Sequence, residues 1–338
     1  MDRLKAILSD PENSVRLAAA IEREPAHLPD GYVSPLVGDP SAIQWYRARK
    51  ALSFYAWDIY AAAAIKHYRA QNPSRGAPLV NARSACVGTL PTQFIDSLES
   101  EYLRSKEVPW RDERPEGYSF DPFNNPQSLP GYRDECMTHH EMSSDMGALL
   151  SAILTAIAPE MEAVLGHYWS AGAVRLFSQK PGHDGGFHTD GWPLAVRKLM
   201  IYPSGADAEK GTTTLVLRDG STVNITGGKG TWALFENSTL VHRATAPLPG
   251  NNPRPTIEIS VMPAFRTDPT ITVHGIHVGY PWLPPDVKGL EGDAIPNGFT
   301  SEEINARSLL RTLMLAIDLP DEIKATAPYL RGLGYLDA

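Results

Sequence analysis

The residues best suited to chemistry stand close together in the string GGFHTDGWP, where His188 and Asp190 are separated by one residue. In extended backbone the side chains at i and i+2 point to the same side, so an imidazole nitrogen and a carboxylate oxygen can converge on one metal ion. A third donor, His242 in NSTLVHRATAP, follows after enough chain to form several strands and return. Two histidines and one carboxylate make the facial triad of non-haem iron(II), which leaves three positions of an octahedral ion open. Two of those positions suit a chelating 2-oxo acid, and the third suits water and then O2. The same donors can instead hold zinc or manganese in a cupin without oxygenase activity. A further alternative is an exposed turn plus a hydrogen-bonded core histidine.

The elements that must position these residues follow from the pattern around them. After Trp169 the chain turns to short apolar runs separated by Gly and Pro, and strands are expected at 172–178, 196–203, 212–218, 222–226, 231–236, 240–246 and 255–262. In the last run Ile257, Ile259 and Val261 share one face. Many short strands at this spacing favour a double-sheet barrel or jelly roll over alternating strand and helix units. Before Trp169, residues 41–71 have a helical period carried by Ile43, Tyr46, Leu52, Tyr55, Ile59 and Ala63. A second helix is expected from about Ser144 to Tyr168, split or kinked at Pro159 because proline lacks the amide donor. Residues 107–133, rich in Pro and aromatics, form a wrapping loop or a lid. His139, His140 and Glu141 are expected at a helix start or on the surface. An irregular arm runs from Gly275 to Phe299, and a last helix follows with Thr300 and Glu303 in capping-box positions.

With these residues in place, the stretch from about 172 to 263 resembles the iron(II) and 2-oxoglutarate dependent dioxygenase superfamily, in particular its prolyl-hydroxylase-like branch. The resemblance rests on His188-Thr189-Asp190, the strand GTTTLVL at 211–217, the strand GTWALFEN at 230–237, the distal His242, and Arg254 opening RPTIEISVMP. It implies a mainly β fold with α elements: a double-stranded β-helix (jelly roll or cupin-like) core supported by N-terminal and C-terminal helices. The chain then reads as a single oxygenase domain over 1–338. Residues 1–168 give a mainly helical support with the wrapping loop or lid, 169–265 the jelly-roll core with the iron site, and 266–338 the C-terminal arm and helix.

The resemblance also implies roles. His188, Asp190 and His242 would be the iron ligands and the catalytic centre, with 2-oxoglutarate and O2 as co-substrates and succinate and CO2 as co-products. Arg254 would pair with the distal carboxylate of 2-oxoglutarate, a task suited to a guanidinium because its fork binds carboxylates bidentately. Arg243 competes, but it adjoins a ligand histidine and faces the other side of its strand. Related enzymes often place a tyrosine before His-x-Asp; VRLFSQKPGHDGGFHTD has Arg175 and Phe177 instead, so Tyr202, Thr213 and Ser260 are candidates to complete the co-substrate pocket. His183, Phe187, Trp192 and Arg197 flank the expected mouth as substrate-binding candidates, together with Lys198, although Arg197 and Lys198 also suit strand-edge solvent groups. Asp190 occupies the position that related halogenases leave small for chloride, which favours oxygen transfer. The expected substrate is a small polar metabolite such as an amino acid or natural-product intermediate. A peptide side chain is the second choice, and a non-catalytic metal-containing jelly roll the third.

Composition sets the outer bounds. The chain has 338 residues, 42% of them hydrophobic, enough for a large core. With 31 basic and 39 acidic residues its net charge is -8, which disfavours a broad nucleic-acid footprint. Two cysteines, Cys86 and Cys136, suit neither a disulfide scaffold nor a paired zinc site. The charged N-terminus lacks the apolar centre of a signal or membrane segment, so a cytoplasmic protein with no membrane partner is expected, with a homodimer compatible with the sequence.

Overall fold

Alternation of side chains along the strands builds two faces from one sheet. The computed structural model of the chain describes residues 60–73, 85–108, 136–190, 195–217 and 220–271. They fall almost wholly within one compact unit, Ala64–Tyr280. Of the expected features, most of the 107–133 segment, Trp192, the arm, the last helix and the first part of the 41–71 helix lie outside the described residues; residues 60–71 are helical.

All seven strands expected after Trp169 are present: β4 (Trp169–Gln179), β5 (Arg197–Tyr202), β6 (Thr212–Val216), β7 (Thr222–Asn224), β8 (Thr231–Phe235), β9 (His242–Thr245) and β10 (Arg254–Pro263). Three more precede them, β1 (Ala85–Thr89), β2 (Glu107–Val108) and β3 (Met137–His140), with helices α1 (Thr92–Arg104) and α2 (Ser144–Leu165) between. The large sheet runs β1-β8-β5-β10-β4-β3-β2 and the small one β7-β6-β9, with every named pairing antiparallel. From β4 onward the chain passes repeatedly between the two sheets, which is the path of a double-stranded β-helix.

In β5, Leu199 and Ile201 face a core cluster that includes Met146, Leu150, Ile153, Leu154 and Ile157 of α2, whereas Met200 and Tyr202 face a second cluster with Phe177, Leu215, Ala233 and Phe235. The outer cluster, closed by Ile257 and Ile259 of β10, fixes α2 on the large sheet. Each such large side chain, fully buried, contributes about 1.5–3 kcal/mol. The inner cluster separates the sheets and leaves room for polar groups on the same face of β10, among them Arg254, Thr256, Glu258 and Ser260.

Two local expectations are corrected. Pro159 does not split the second helix: α2 is continuous, started by Ser143, whose Oγ accepts from the Met146 amide at 3.0 Å, and ended by Gly166 at φ 66°. Tertiary packing of its apolar face outweighs one missing amide bond. His139 and His140 are in β3, paired with Phe177 and Leu176 of β4 rather than at a helix start. His139 is buried, and His140 Nε2 lies 3.0 Å from Ser178 Oγ.

Candidate metal centre

The first ligand segment is held by backbone before any side chain is considered. Gly185 donates its amide to the Ala244 carbonyl at 2.7 Å, and His188 and His242 exchange both amide bonds at 2.9 Å as an antiparallel bridge. This adds a short, irregular strand to the small sheet beside β9. The exchange places the two imidazoles side by side, with ring centroids 4.5 Å apart. His188 Nδ1 is 2.8 Å from the Gly186 carbonyl, and His242 Nδ1 is 2.9 Å from the Leu240 carbonyl. A carbonyl can only accept, so each Nδ1 carries the proton and each Nε2 offers a lone pair.

Asp190 completes the set. Its Oδ1 lies 3.5 Å from His188 Nε2 and its Oδ2 3.7 Å from His242 Nε2. One donor atom from each of the three residues falls within a common span of 4.8 Å. Two oriented imidazole nitrogens and a carboxylate at this spacing suit a divalent transition metal, and the donor types match the facial triad of iron(II).

The electrostatics favour the ligand-competent states. Burial, the largest influence, pushes the Asp190 carboxyl up, but Lys198, His242 and His188 together hold it well below the usual range. Burial and then Lys198 push His242 down to about 3, against the opposing pull of Asp190. His242 is therefore neutral at pH 7.

Lys198 was expected at the mouth or in solvent and is instead buried beside the triad. Its ammonium contacts Asp190 Oδ2, stands 3.4 Å from His242 Nε2 and 3.4 Å from Glu258 Oε2. Glu258 in turn accepts from Arg175 at 2.6 Å. Burial raises the Glu258 carboxyl, but Arg175 and Lys198 more than offset it and keep the group ionised. Lys198, Glu258 and Arg175 escape a reading of one strand at a time because their partners come from three different strands. The available signal was alternation, which puts Lys198 on the same face as Met200 and Tyr202. Asn237 was also missed as a site residue: its Nδ2 donates to Asp190 Oδ2 at 3.0 Å.

Farther along the inner face, Arg254 is buried at 2% exposure, and none of its three guanidinium nitrogens has a hydrogen-bond partner among the described residues. Its guanidinium carbon lies 5.3 Å from the centre of the Tyr202 ring. Tyr202 donates its hydroxyl to Thr213 Oγ1 at 2.7 Å, so these two candidates meet each other at the Arg254 end of the face. Ser260 Oγ is buried with no hydrogen-bond partner among the described residues and stands across from Lys198 in the β5–β10 register. Burial lowers the Arg254 pKa, yet a guanidinium remains charged at neutral pH. An unpaired buried cation calls for an anion, and its planar fork fits a carboxylate.

The mouth candidates separate. Phe187 is exposed and lies under the Arg243 guanidinium at 4.6 Å, on the side of its strand opposite His188. Arg243 also approaches Asp184 at 3.8 Å and Arg175 is held by Glu258, whereas the Arg254 guanidinium meets no hydrogen-bond partner among the described residues. Arg197 pairs with Glu236 at 3.0 Å. His183 is exposed in the loop after β4, where its carbonyl accepts from Gln179.

No protein-family model matches the chain, and no curated protein matches it by sequence. Among solved structures it is similar to HygX from Streptomyces hygroscopicus with nickel and 2-oxoglutarate bound, at 14% identity and a TM-score of 0.39, over 56% of this chain and 86% of that one. It is similar to the non-haem alpha ketoglutarate dependent epimerase SnoN from nogalamycin biosynthesis at 13% identity and a TM-score of 0.40, over 60% of this chain and 84% of that one. A Pseudomonas putida prolyl-4-hydroxylase gives 13% identity and a TM-score of 0.39, over 55% of this chain and 95% of that one. Likenesses this distant leave the function to be read from the chain's own residues.

Proposed function

We propose that this chain is a 2-oxoglutarate dependent non-haem iron(II) oxygenase that hydroxylates an unactivated C–H bond of a small polar metabolite. The observation that carries the reading is the pairing of two features on the inner walls of one β-helix: an oriented His188/Asp190/His242 donor set, and a buried Arg254 with no hydrogen-bond partner among the described residues. A metal site alone is compatible with a scaffold. A metal site accompanied by an uncompensated guanidinium fits a ligand that chelates through one end and presents a carboxylate at the other, as 2-oxoglutarate does.

Iron(II) with bound 2-oxoglutarate and O2 supplies oxidative decarboxylation to succinate and CO2, coupled to oxidation of a substrate C–H bond. The chain's own residues do the rest. His188 and His242 present neutral Nε2 atoms because the Gly186 and Leu240 carbonyls hold their protons at Nδ1. Arg254 receives the far carboxylate, and Tyr202 and Thr213 form the polar wall beside it. The charged inner face formed by Arg175, Lys198 and Glu258 suits a polar substrate.

Anaerobic titration with iron(II), with and without 2-oxoglutarate, tests this reading. A visible charge-transfer band that requires both, followed on exposure to O2 by succinate, is the expected outcome. A protein that takes up metal but shows no 2-oxoglutarate complex would instead be a metal-containing β-helix without this activity.

A further inference from the structure

Asp190 is the one ligand whose geometry its own strand does not settle, because a carboxylate can turn about its terminal bond and bind a metal through one oxygen or two. The surrounding chain restricts that freedom. Oδ2 accepts from Asn237 Nδ2 at 3.0 Å and from the Lys198 ammonium, and lies 3.7 Å from His242 Nε2. Oδ1 approaches His188 Nε2 at 3.5 Å. Asn237 also holds the ligand's main chain, since the Asp190 amide donates to the Asn237 carbonyl at 2.8 Å. One residue thus grips both backbone and side chain of the ligand.

Asn237 is fully buried, and its Oδ1 has no hydrogen-bond partner among the described residues. A buried amide satisfied on its donor side alone is unusual and asks for a reason. An amide turned the other way would set its oxygen against a carboxylate oxygen, so the donor must face Asp190.

We infer that Asn237 is a positioning residue that holds Asp190 to one-oxygen coordination by occupying Oδ2. This rests on the metal-centre reading above. It adds a function to that reading: with Oδ2 engaged by Asn237 and Lys198, Oδ1 is left for the metal, and three coordination positions remain open rather than two. The size of the effect follows from comparable partners of metal ligands, whose removal commonly weakens metal binding by about 10- to 100-fold.

The test uses the full chain and Co(II) as the probe metal. Co(II) affinity is measured by calorimetry and its coordination by the visible spectrum, for the wild type, Asn237→Leu, Asn237→Ser and His188→Ala. Melting of the metal-free proteins is followed in parallel. Asn237→Leu keeps the backbone bond to Asp190 and removes the side-chain donor; it should bind Co(II) about 10- to 100-fold more weakly, with a changed visible band. Asn237→Ser, a smaller perturbation, should move both readouts in the same direction and decides the matter if the leucine variant does not fold. A merely structural asparagine would lower melting but leave affinity and spectrum of the folded protein unchanged, and that result overturns the inference. If Asn237 variants match the wild type while His188→Ala loses Co(II), the positioning role alone is rejected. If His188→Ala binds Co(II) like the wild type, the metal-centre reading is rejected and the inference with it.

Discussion

Arg254 carries the desolvation cost of a buried charge. It is a buried guanidinium without a hydrogen-bond partner among the described residues, and replacing such a group with an apolar side chain of similar length often stabilises a fold. Arg254→Met should therefore raise the melting temperature of the ligand-free protein while weakening 2-oxoglutarate binding at least tenfold, since a hydrogen bond to a charged group is worth about 1.5–3 kcal/mol. Calorimetry with an inert divalent metal separates the two effects, because metal affinity should barely change; unaltered 2-oxoglutarate affinity would sink the assignment. His167 supplies a different test. Burial lowers its pKa to about 4, and its Nδ1 lies 2.7 Å from the Tyr168 carbonyl. The unfolded chain has an ordinary histidine near pH 6.5, so between about 6.5 and 4 the unfolded state binds more protons and stability falls as the pH falls. The loss should reach on the order of 3 kcal/mol by pH 4. Urea unfolding across that range should show a shallower slope in His167→Gln, and an identical slope would exclude His167 as the source. At this scale the convergence of His188 and Asp190 was legible because His-x-Asp on extended backbone needs only alternation, whereas the approach of His242 depends on the return of the chain in β9. Lys198 was not, because a strand lysine is ordinarily solvated and its burial depends on the distant anions Asp190 and Glu258.

Strands rather than single residues decide where His242 sits. The β6–β9 register sets Thr212 opposite Thr245 and Leu215 opposite His242, and Gly211 opens β6 at φ 81°. A Cβ at Gly211 would lie 2.5 Å from the Thr245 carbonyl oxygen, too close to be accommodated without moving β9. Gly211→Ala should cost at least about 1–3 kcal/mol and weaken metal binding by displacing His242. Gly250→Ala is the control: it shares a positive φ, at 91°, but its Cβ meets nothing within 4 Å, so metal affinity should hold. Equal metal affinity in both variants would show that β9 does not depend on this contact. The seven strands from β4 to β10 could be read from apolar runs and turn residues. β1 and β3 could not: ACVGT and MTHH have little apolar alternation and owe their strand state to pairing with β8 and β4. Gly88 illustrates the dependence, since a Cβ there would stand 2.3 Å from the Trp232 ring. Close approach of two strands, not local propensity, selects that glycine.

Across the whole molecule, a metal bound by His188, Asp190 and His242 would tie the segment before β5 to β9. Ligand that binds only the folded state stabilises it by about 2.7 kcal/mol at one hundred times its dissociation constant. Co(II) at that level should raise the melting temperature by about 4–6 °C, and His188→Ala should abolish the rise. A shift that survives the substitution would place the metal elsewhere. The order of strands in the large sheet was not visible in the sequence, because pairing partners are set by the closed fold. That order has a further result: β10, the last strand among the described residues, lies between β4 and β5 in the middle of the large sheet. During synthesis, β4 and β5 therefore leave the ribosome long before the strand that joins them. Until residues 254–263 emerge, each has an unpaired edge open to wrong partners. A nascent chain halted before Arg254 should recruit holdase chaperones and resist native packing, whereas one released past Pro263 should close in a single late step.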